Sequence, residues 1–308
     1  MTAVFEEKLE ITACDLCGAK DDEFLYTKQG TLTGYPFRVV RCRQCGLIYL
    51  NPRLNQTALA DLYTQEYYRG KGFDSHVDYL KENDLGTGFF RPSIVARLLS
   101  DLVGLPARVL DYGCGTGTLL KEAKRLGYEV EGFEVSPFAV QHGLNQGFHV
   151  YQDPDQLPAN CYDVVTAVEV LEHCYSPTNA LRAIYKALKP GGLFFYTTEN
   201  FDGFYKQWLK GVRNSVLDGY IVPEGHITFF STPVMRAYFN KIGFTEVLPF
   251  EPRAYLKGSR MFKLLTELHL VDATKDMPES RWEKSCYLGM RKCLKLLGNR
   301  GFLPLAKK

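Results

Sequence analysis

Three groups of residues in this 308-residue chain have the types and spacing that chemistry needs. The first is Asp111-Tyr112-Gly113-Cys114-Gly115-Thr116-Gly117, which follows the apolar pair Val109-Leu110. Alternate glycines at a strand-to-helix turn permit positive φ and let a ligand approach the main chain beside a helix N-terminus. The stretch is not a dinucleotide fingerprint, which needs Gly or Ala where Thr118 stands, and it lacks the Gly-Lys-Ser/Thr of a phosphate-gripping loop. The second group is Cys14-x-x-Cys17 with Cys42-x-x-Cys45, each pair followed by a glycine, Gly18 or Gly46. Two such knuckles supply four tetrahedral thiolates for structural zinc. A metal so enclosed has no open position for a reactant, and its role is to fold a segment too small for its own core. Two disulfides or a redox Cys-x-x-Cys are the competing readings. The third group is Glu169-x-x-Glu172-His173, with His226 further on in Pro223-Glu224-Gly225-His226. On a helix, positions i, i+3 and i+4 would put Glu169, Glu172 and His173 on one face, as ligand-type side chains require.

The surrounding pattern supplies elements to hold these groups. A helix is expected from Thr118 to Leu126, then a second strand over Glu129–Val135 that ends on Glu134. An acidic side chain there can accept hydrogen bonds from ribose hydroxyls. The alternative is that Glu134 caps the helix beginning at Ser136-Pro137. Tyr162–Val168 reads as a buried parallel strand, with Asp163 as an architectural residue at its start. A helix from about Asn179 ends at Lys189-Pro190-Gly191-Gly192, and Leu193–Thr198 makes a fifth strand. A helix over Thr232–Ile242 and a strand over Thr245–Phe250 complete the alternation, which predicts an α/β fold with a doubly wound, mostly parallel sheet.

These motifs resemble those of class I S-adenosylmethionine-dependent methyltransferases, whose first motif is an acidic residue followed by x-G-x-G-x-G. The resemblance implies a Rossmann-like catalytic domain in which Asp111, Gly113, Cys114, Gly115 and Gly117 hold the amino-acid end of S-adenosyl-L-methionine. It further implies that Glu134 holds the ribose, with Val135 and Glu169 beside the cofactor and Asp153, four before Leu157-Pro158, meeting the adenine amino group. The ribbon and the run Gly46–Arg53 resemble a bacterial subgroup with an N-terminal zinc ribbon that acts in sugar, lipopolysaccharide and natural-product pathways. In those relatives tyrosines such as Tyr67 and Tyr68 close over cofactor and substrate, and a His placed like His226 serves as base or aligns the acceptor. Packing between ribbon and catalytic domain would use the same tyrosines. Sugar C-methyltransferases usually carry Glu directly before that His, whereas Gly225 intervenes here, and they continue into a further large domain. The E-x-x-E-H segment also occurs in ubiquinone-pathway O-methyltransferases and small-RNA 2′-O-methyltransferases, where it can hold a divalent cation.

The expected organisation is a zinc ribbon over 1–55, aromatic cap helices over 56–90, a methyltransferase domain over 91–258 with an insertion at 200–231, and a C-terminal helical tail over 259–308. Within the insertion, Phe201, Phe204, Tyr205, Trp208 and Tyr220 suggest a lid over the substrate. Basic residues interleave with apolar ones from Cys286 to Leu297, a pattern that suits either packing against the domain or peripheral contact with an anionic membrane. A hydrophobic share of 45% and a charged share of 23% are ordinary for a globular enzyme. The opening MTAVFEEKLEI lacks the pattern of an export signal, so a cytoplasmic location is expected. A net charge of +2 weighs against a nucleic-acid partner and leaves a small-molecule acceptor as the main expectation, with an RNA acceptor gripped by the ribbon as the alternative. Metal analysis of the purified protein is expected to find about one zinc per chain, lost when Cys14 and Cys42 are replaced by Ser; metal-free folded protein would remove the ribbon assignment.

Overall fold

The computed structural model describes residues 7–73, 78–81, 92–201, 221–248 and 305–308. The cysteine-rich segment begins with β1 (Leu9–Glu10), β2 (Asp22–Gln29), β3 (Pro36–Cys42), β4 (Ile48–Leu50) and β5 (Arg53–Leu54). Two short helices follow, α1 (Gln56–Ala60) and α2 (Gln65–Tyr68), whose N-caps Asn55 and Thr64 each accept a main-chain N–H three residues on. The catalytic part then runs α3 (Pro92–Leu102), β6 (Arg108–Tyr112), α4 (Thr118–Arg125), β7 (Glu129–Phe133), α5 (Pro137–Asn145), β8 (His149–Tyr151), β9 (Tyr162–Val168), α6 (Pro177–Ala187) and β10 (Leu188–Thr197). It continues through β11 (Thr228–Phe229), α7 (Thr232–Ile242) and β12 (Glu246–Leu248) to β13 (Leu305–Lys307).

The large sheet has seven strands in the order β12-β13-β10-β9-β6-β7-β8. Its five central strands, β10-β9-β6-β7-β8, are parallel, and β13 is antiparallel to both of its neighbours. After β6 the chain winds outward through β7 and β8, then returns to place β9 on the other side of β6. That reversal opens a crevice at the carboxyl ends of the strands, where ligands bind in open α/β sheets. Val109, Leu110, Val164 and Val165 are buried on both faces of the sheet, as central parallel strands require. Position 305–307, expected within a helical tail, is a strand that completes the sheet between β10 and β12. Residues 249–304, including the amphipathic stretch, lie outside the described residues, as do residues 82–91 and Phe204, Tyr205, Trp208 and Tyr220 of the expected lid. Among the described residues no helix is long and apolar enough to cross a membrane.

The ribbon shares its core with the catalytic sheet. Side chains alternate along β3, so Val40 and Cys42 join Cys14, Leu16, Leu47 and Tyr49 in one apolar cluster with Leu181, Ile184, Phe194 and Tyr238. Phe37 and Val39, on the opposite face, pack with Leu54, Leu59, Phe201, Ile221 and Phe229. The ribbon sheet even takes its fourth strand from the catalytic part, in the order β11-β4-β3-β2. β11 falls within the expected insertion and pairs Thr228 with Tyr49 and Phe229 with Ile48.

Asp15, inside the first knuckle, caps α6 from outside that helix. Its carboxylate accepts the Thr178 N–H at 2.8 Å, the hydroxyls of Ser176 and Thr178 at 2.6 and 2.7 Å, and the Tyr238 hydroxyl at 3.0 Å. Replacing Asp15 by Ala leaves these donors without their acceptor, and a loss of about 2 kcal/mol is expected. Urea unfolding followed by circular dichroism checks this; an unchanged midpoint would show that the ribbon does not anchor α6.

Candidate active site

The crevice at the ends of β6, β7 and β9 encloses a cavity of about 810 Å³, within the range of small-molecule sites. Its floor is the glycine turn, represented by Gly113, Cys114, Gly115 and Thr116, with Asp111 beneath it. The main-chain N–H groups of Gly113 and Cys114 both donate to the Phe133 carbonyl, at 2.7 and 3.0 Å, which pins the turn to the end of β7. Gly113 is required twice over, since its φ is +83° and a Cβ there would lie 2.6 Å from the Val170 side chain.

Two buried carboxylates face this turn. Asp111 accepts the Thr166 hydroxyl at 2.7 Å. Burial pushes its carboxyl up to about 7 against the opposing pull of that hydrogen bond, and the Glu134 charge adds to the rise. Glu134 accepts the Gly115 N–H and the Ser136 N–H, each at 2.9 Å, and burial raises it too. The cap of α5 is Ser136, whose hydroxyl accepts the Ala139 N–H, while the Glu134 carboxylate lines the cavity. Val135 and Glu169 also line it. Asp153 does not: its carboxylate accepts the Asp155 N–H at 2.9 Å at the head of a short 3₁₀ turn, and the neighbouring Gln152 and Pro154 line the cavity instead.

Tyr63, Tyr67, Tyr68 and Tyr79 wall the opposite side. Tyr67 lies parallel to Tyr79 with ring centroids 6.1 Å apart, and edge-on to Tyr63 and Tyr68 at 5.0 and 5.1 Å. The wall is tied to the cofactor-side loops, because Ser136 donates its hydroxyl to the Tyr63 carbonyl at 2.6 Å and Thr116 donates to that of Tyr79 at 3.4 Å. Burial raises the Tyr68 phenol far above its ordinary value.

Beyond β9 the E-x-x-E-H segment is not the α-helix that its spacing suggested. Glu169 takes a positive φ of 54°, and only Leu171–His173 forms a 3₁₀ turn. The segment nevertheless gathers ligands: donor atoms of Glu172, His173 and His226 lie within 4.8 Å of one another, as do those of Glu169, Glu172 and Glu199. Thr198 donates to one Glu172 oxygen at 2.8 Å, while the other, and Glu169 Oε1, are buried without a hydrogen-bond partner among the described residues. Burial and the Glu199 charge raise Glu169 to about 7, and burial with the Glu199 and Glu169 charges raises Glu172 well above its usual range. His226 is not among the cavity-lining residues but stands behind His173, ring centroids 4.5 Å apart, and His173 forms the wall. The His173 Nδ1 lies 3.2 Å from the Gly225 carbonyl, an atom that can only accept, so Nδ1 carries the proton and Nε2 is left as a lone pair. Burial and the neighbouring His226 hold His173 well below its usual pKa, hence neutral.

The four ribbon cysteines also converge. Cys14 and Cys45 sulfurs are 3.4 Å apart, those of Cys17 and Cys42 are 3.5 Å apart, and all four lie within 4.8 Å. A tetrahedral zinc with Zn–S bonds near 2.3 Å needs sulfurs roughly 3.8 Å apart. Thr166, Glu199, Tyr63 and Gln152 join the site without a local motif to announce them; only the fold brings them there.

The family model described as "Methyltransferase domain" matches residues 89–248, just over half of the chain. A ubiquinone biosynthesis O-methyltransferase of Escherichia coli O157:H7 (strain EC4115 / EHEC) is 36% identical over 145 residues, 44% of this chain and 59% of the relative. Its namesake in Xanthomonas oryzae pv. oryzae (strain PXO99A) is 41% identical over 117 residues, 35% of this chain and 47% of the relative. The chain therefore spans about half the length of these curated relatives. Among solved structures, a SAM-dependent methyltransferase from Archaeoglobus fulgidus is similar at 19% identity and a TM-score of 0.44, covering 70% of this chain and 94% of that one. With the strand order, the glycine turn and the family match all in agreement, the chain belongs to the class I S-adenosylmethionine-dependent methyltransferases.

Proposed function

We propose that this protein transfers the methyl group of S-adenosylmethionine to a hydroxyl of a small polar acceptor, a sugar, nucleotide-sugar or related natural-product intermediate. The observation that carries this reading is that Glu169 and His173, the latter with a bare Nε2, open onto the same cavity as the glycine turn. The O-methylating names of the E. coli and Xanthomonas relatives support oxygen as the acceptor atom, and the tyrosine wall offers flat faces for a sugar ring.

The residues fit the cofactor. Asp111 and the turn from Gly113 to Thr116 receive its amino-acid end, Asp111 facing the ammonium group, Glu134 receives its ribose hydroxyls, and Val135, Gln152 and Pro154 the adenine face. No Lys or Arg lines the cavity among the described residues, which suits a positively charged ligand. When bound, S-adenosylmethionine supplies an activated methyl group on a sulfonium. The protein aligns the acceptor in line with that methyl, excludes water and takes up the hydroxyl proton, for which neutral His173 is the group at hand. Glu172, His173 and His226 also form a donor set suited to a divalent cation, with Glu169, Glu172 and Glu199 a second set that shares Glu172, and the two orphan carboxylate oxygens favour that occupant. Such an ion would lower the pKa of the acceptor hydroxyl. In the ribbon, Cys14, Cys17, Cys42 and Cys45 hold structural Zn²⁺.

Incubation of the purified protein with S-adenosylmethionine and a panel of nucleotide-sugars and hydroxylated metabolites is expected to yield an O-methylated product by mass spectrometry. His173→Gln should lower kcat by about 10²–10³ while S-adenosylhomocysteine affinity stays nearly constant; an N- or C-methylated product, or an undiminished rate in the variant, would overturn the proposal. Dialysis against a chelator followed by Mg²⁺ or Mn²⁺ should remove and restore the rate, and full activity after chelation would leave His173 acting without a metal.

Burial raises Asp111 from 3.8 to about 7, so its protonated form favours the fold. Stability of the unliganded protein should therefore fall as pH rises from about 4 to about 7 and level off above that. The cationic cofactor prefers the ionised form, so its affinity should rise toward pH 7 by up to about tenfold per unit and then flatten. Calorimetry across this range checks both the slope and the released proton, and Asp111→Asn should reduce the slope, leaving the share of Glu134 and Glu169.

A further inference from the structure

Glu224 belongs to the loop that carries His226, yet its carboxylate is wholly buried in the ribbon. It sits in the turn between β2 and β3, where one oxygen accepts the Leu32 and Thr33 N–H groups at 2.9 and 3.0 Å and the Thr33 hydroxyl at 2.9 Å. The other accepts the Thr31 N–H at 3.0 Å, with the Thr31 hydroxyl 3.3 Å away. Three converging main-chain N–H groups make a concave anion seat, and together with the Thr33 hydroxyl they give the carboxylate four donors that fix its position. The seat is shaped for this guest: a Cβ on Gly30 would lie 2.3 Å from Glu224 Oε1.

The same turn reaches the active-site wall from a second side. Thr31 also lies 3.2 Å from the Phe73 carbonyl as a donor, and the Phe73 ring packs so closely on Gly225 that a Cβ there would meet it at 1.7 Å. Phe73 stands 6.0 Å from the His173 ring. Gly225, between Glu224 and His226, presents the carbonyl that binds His173 Nδ1. On the far side of His226, the Ile227 N–H donates to the Glu172 carbonyl at 3.0 Å, and Leu50 of the ribbon donates to the Ile227 carbonyl at 3.1 Å.

We propose that Glu224 is a positioning residue: seated in the ribbon turn, it holds the Gly225 carbonyl in place, and that carbonyl keeps the proton on His173 Nδ1 and leaves Nε2 bare. The cysteine cluster sits at the base of the β2–β3 hairpin, where Asp22 pairs with Cys42, and the seat is at its tip, where Gln29 pairs with Pro36. The ribbon therefore acts on the active site as a strut, with its metal-binding end fixing one end of the hairpin and its turn fixing the loop of His226. The consequence for methyl transfer rests on the role proposed above for His173.

The test uses the full chain labelled with ¹⁵N-histidine, with His173→Gln to assign the His173 signals. The wild type should show a neutral, Nδ1-protonated His173 whose Nδ1 proton exchanges slowly. In Glu224→Gln an amide nitrogen competes with the donors of the seat, and in Gly30→Ala the new methyl expels the carboxylate while leaving Glu224 intact. Both variants should lose the slow proton and shift His173 toward mixed tautomers, while S-adenosylhomocysteine binding by calorimetry stays within about threefold, as expected for a site built on β6 and β7. A folded Gly30→Ala protein with an unchanged His173 spectrum would overturn the proposal, as would a wild type lacking the Nδ1-protonated form. Loss of S-adenosylhomocysteine binding in step with the His173 signal would also overturn it, by showing general disruption. Failure of the functional reading is separate, since the wild type would then give no methylated product while His173 still followed Glu224.

Discussion

The constraint on which this structure turns is the burial of carboxylates at or just beyond the carboxyl ends of the central strands. Asp111, Glu134, Glu172 and Glu199 are all less than a tenth exposed, and no Lys or Arg lines the cavity among the described residues. Desolvating such groups is costly unless hydrogen bonds or a cation compensate. The protein supplies hydrogen bonds: Thr166 to Asp111, two main-chain N–H groups to Glu134, and Thr198 to Glu172. What remains is raised carboxyl pKa values and orphan oxygens at Glu169 and Glu172, so the cavity is built for occupants that bring positive charge. A sulfonium cofactor and a divalent ion are both of that kind, and a dinucleotide with its phosphates is not.

The ribbon is part of the same construction rather than an attached module. Knuckles of this size cannot bury a core alone, and here the hairpin places one face in the catalytic core and the other against β11 and its neighbours. Asp15 caps α6, Lys241 donates to the Leu16 carbonyl at 2.6 Å, and Glu224 enters the hairpin turn. Each of these contacts crosses the boundary that the sequence suggests near residue 55. The cysteine cluster is thereby joined to the catalytic sheet by packed strands and hydrogen bonds.

Local signals carried the sheet and the cofactor turn well. The strand Tyr162–Val168 and the helix Thr232–Ile242 occur over the residues expected of them, and β6 leads into the glycine turn as its pattern implied. The reason is that these elements answer to periodicity and caps within a few residues. The E-x-x-E-H segment misled in form, because a helical spacing says nothing of the positive φ at Glu169 that Thr197 holds through two hydrogen bonds to its N–H. At Asp153 one local pattern carries a second role: its offset from Leu157-Pro158 suits a cofactor contact, and one oxygen of its carboxylate accepts the Asp155 N–H at the head of a 3₁₀ turn.

The sequence by itself determined the glycine turn and the carboxylates beside it, because Asp111, the alternate glycines and Glu134 lie along one strand-turn-strand whose geometry short-range sterics dictate. It also determined the four thiolates, since two Cys-x-x-Cys turns close locally. Only the tertiary structure decided which acids gather beyond β9, that His173 and not His226 is among the cavity-lining residues, and that Glu224 enters the ribbon turn. Those outcomes depend on contacts between segments up to 193 residues apart, such as Thr31 with Glu224. Burial creates such pairings once strands have stacked, and no local pattern in the chain announces them.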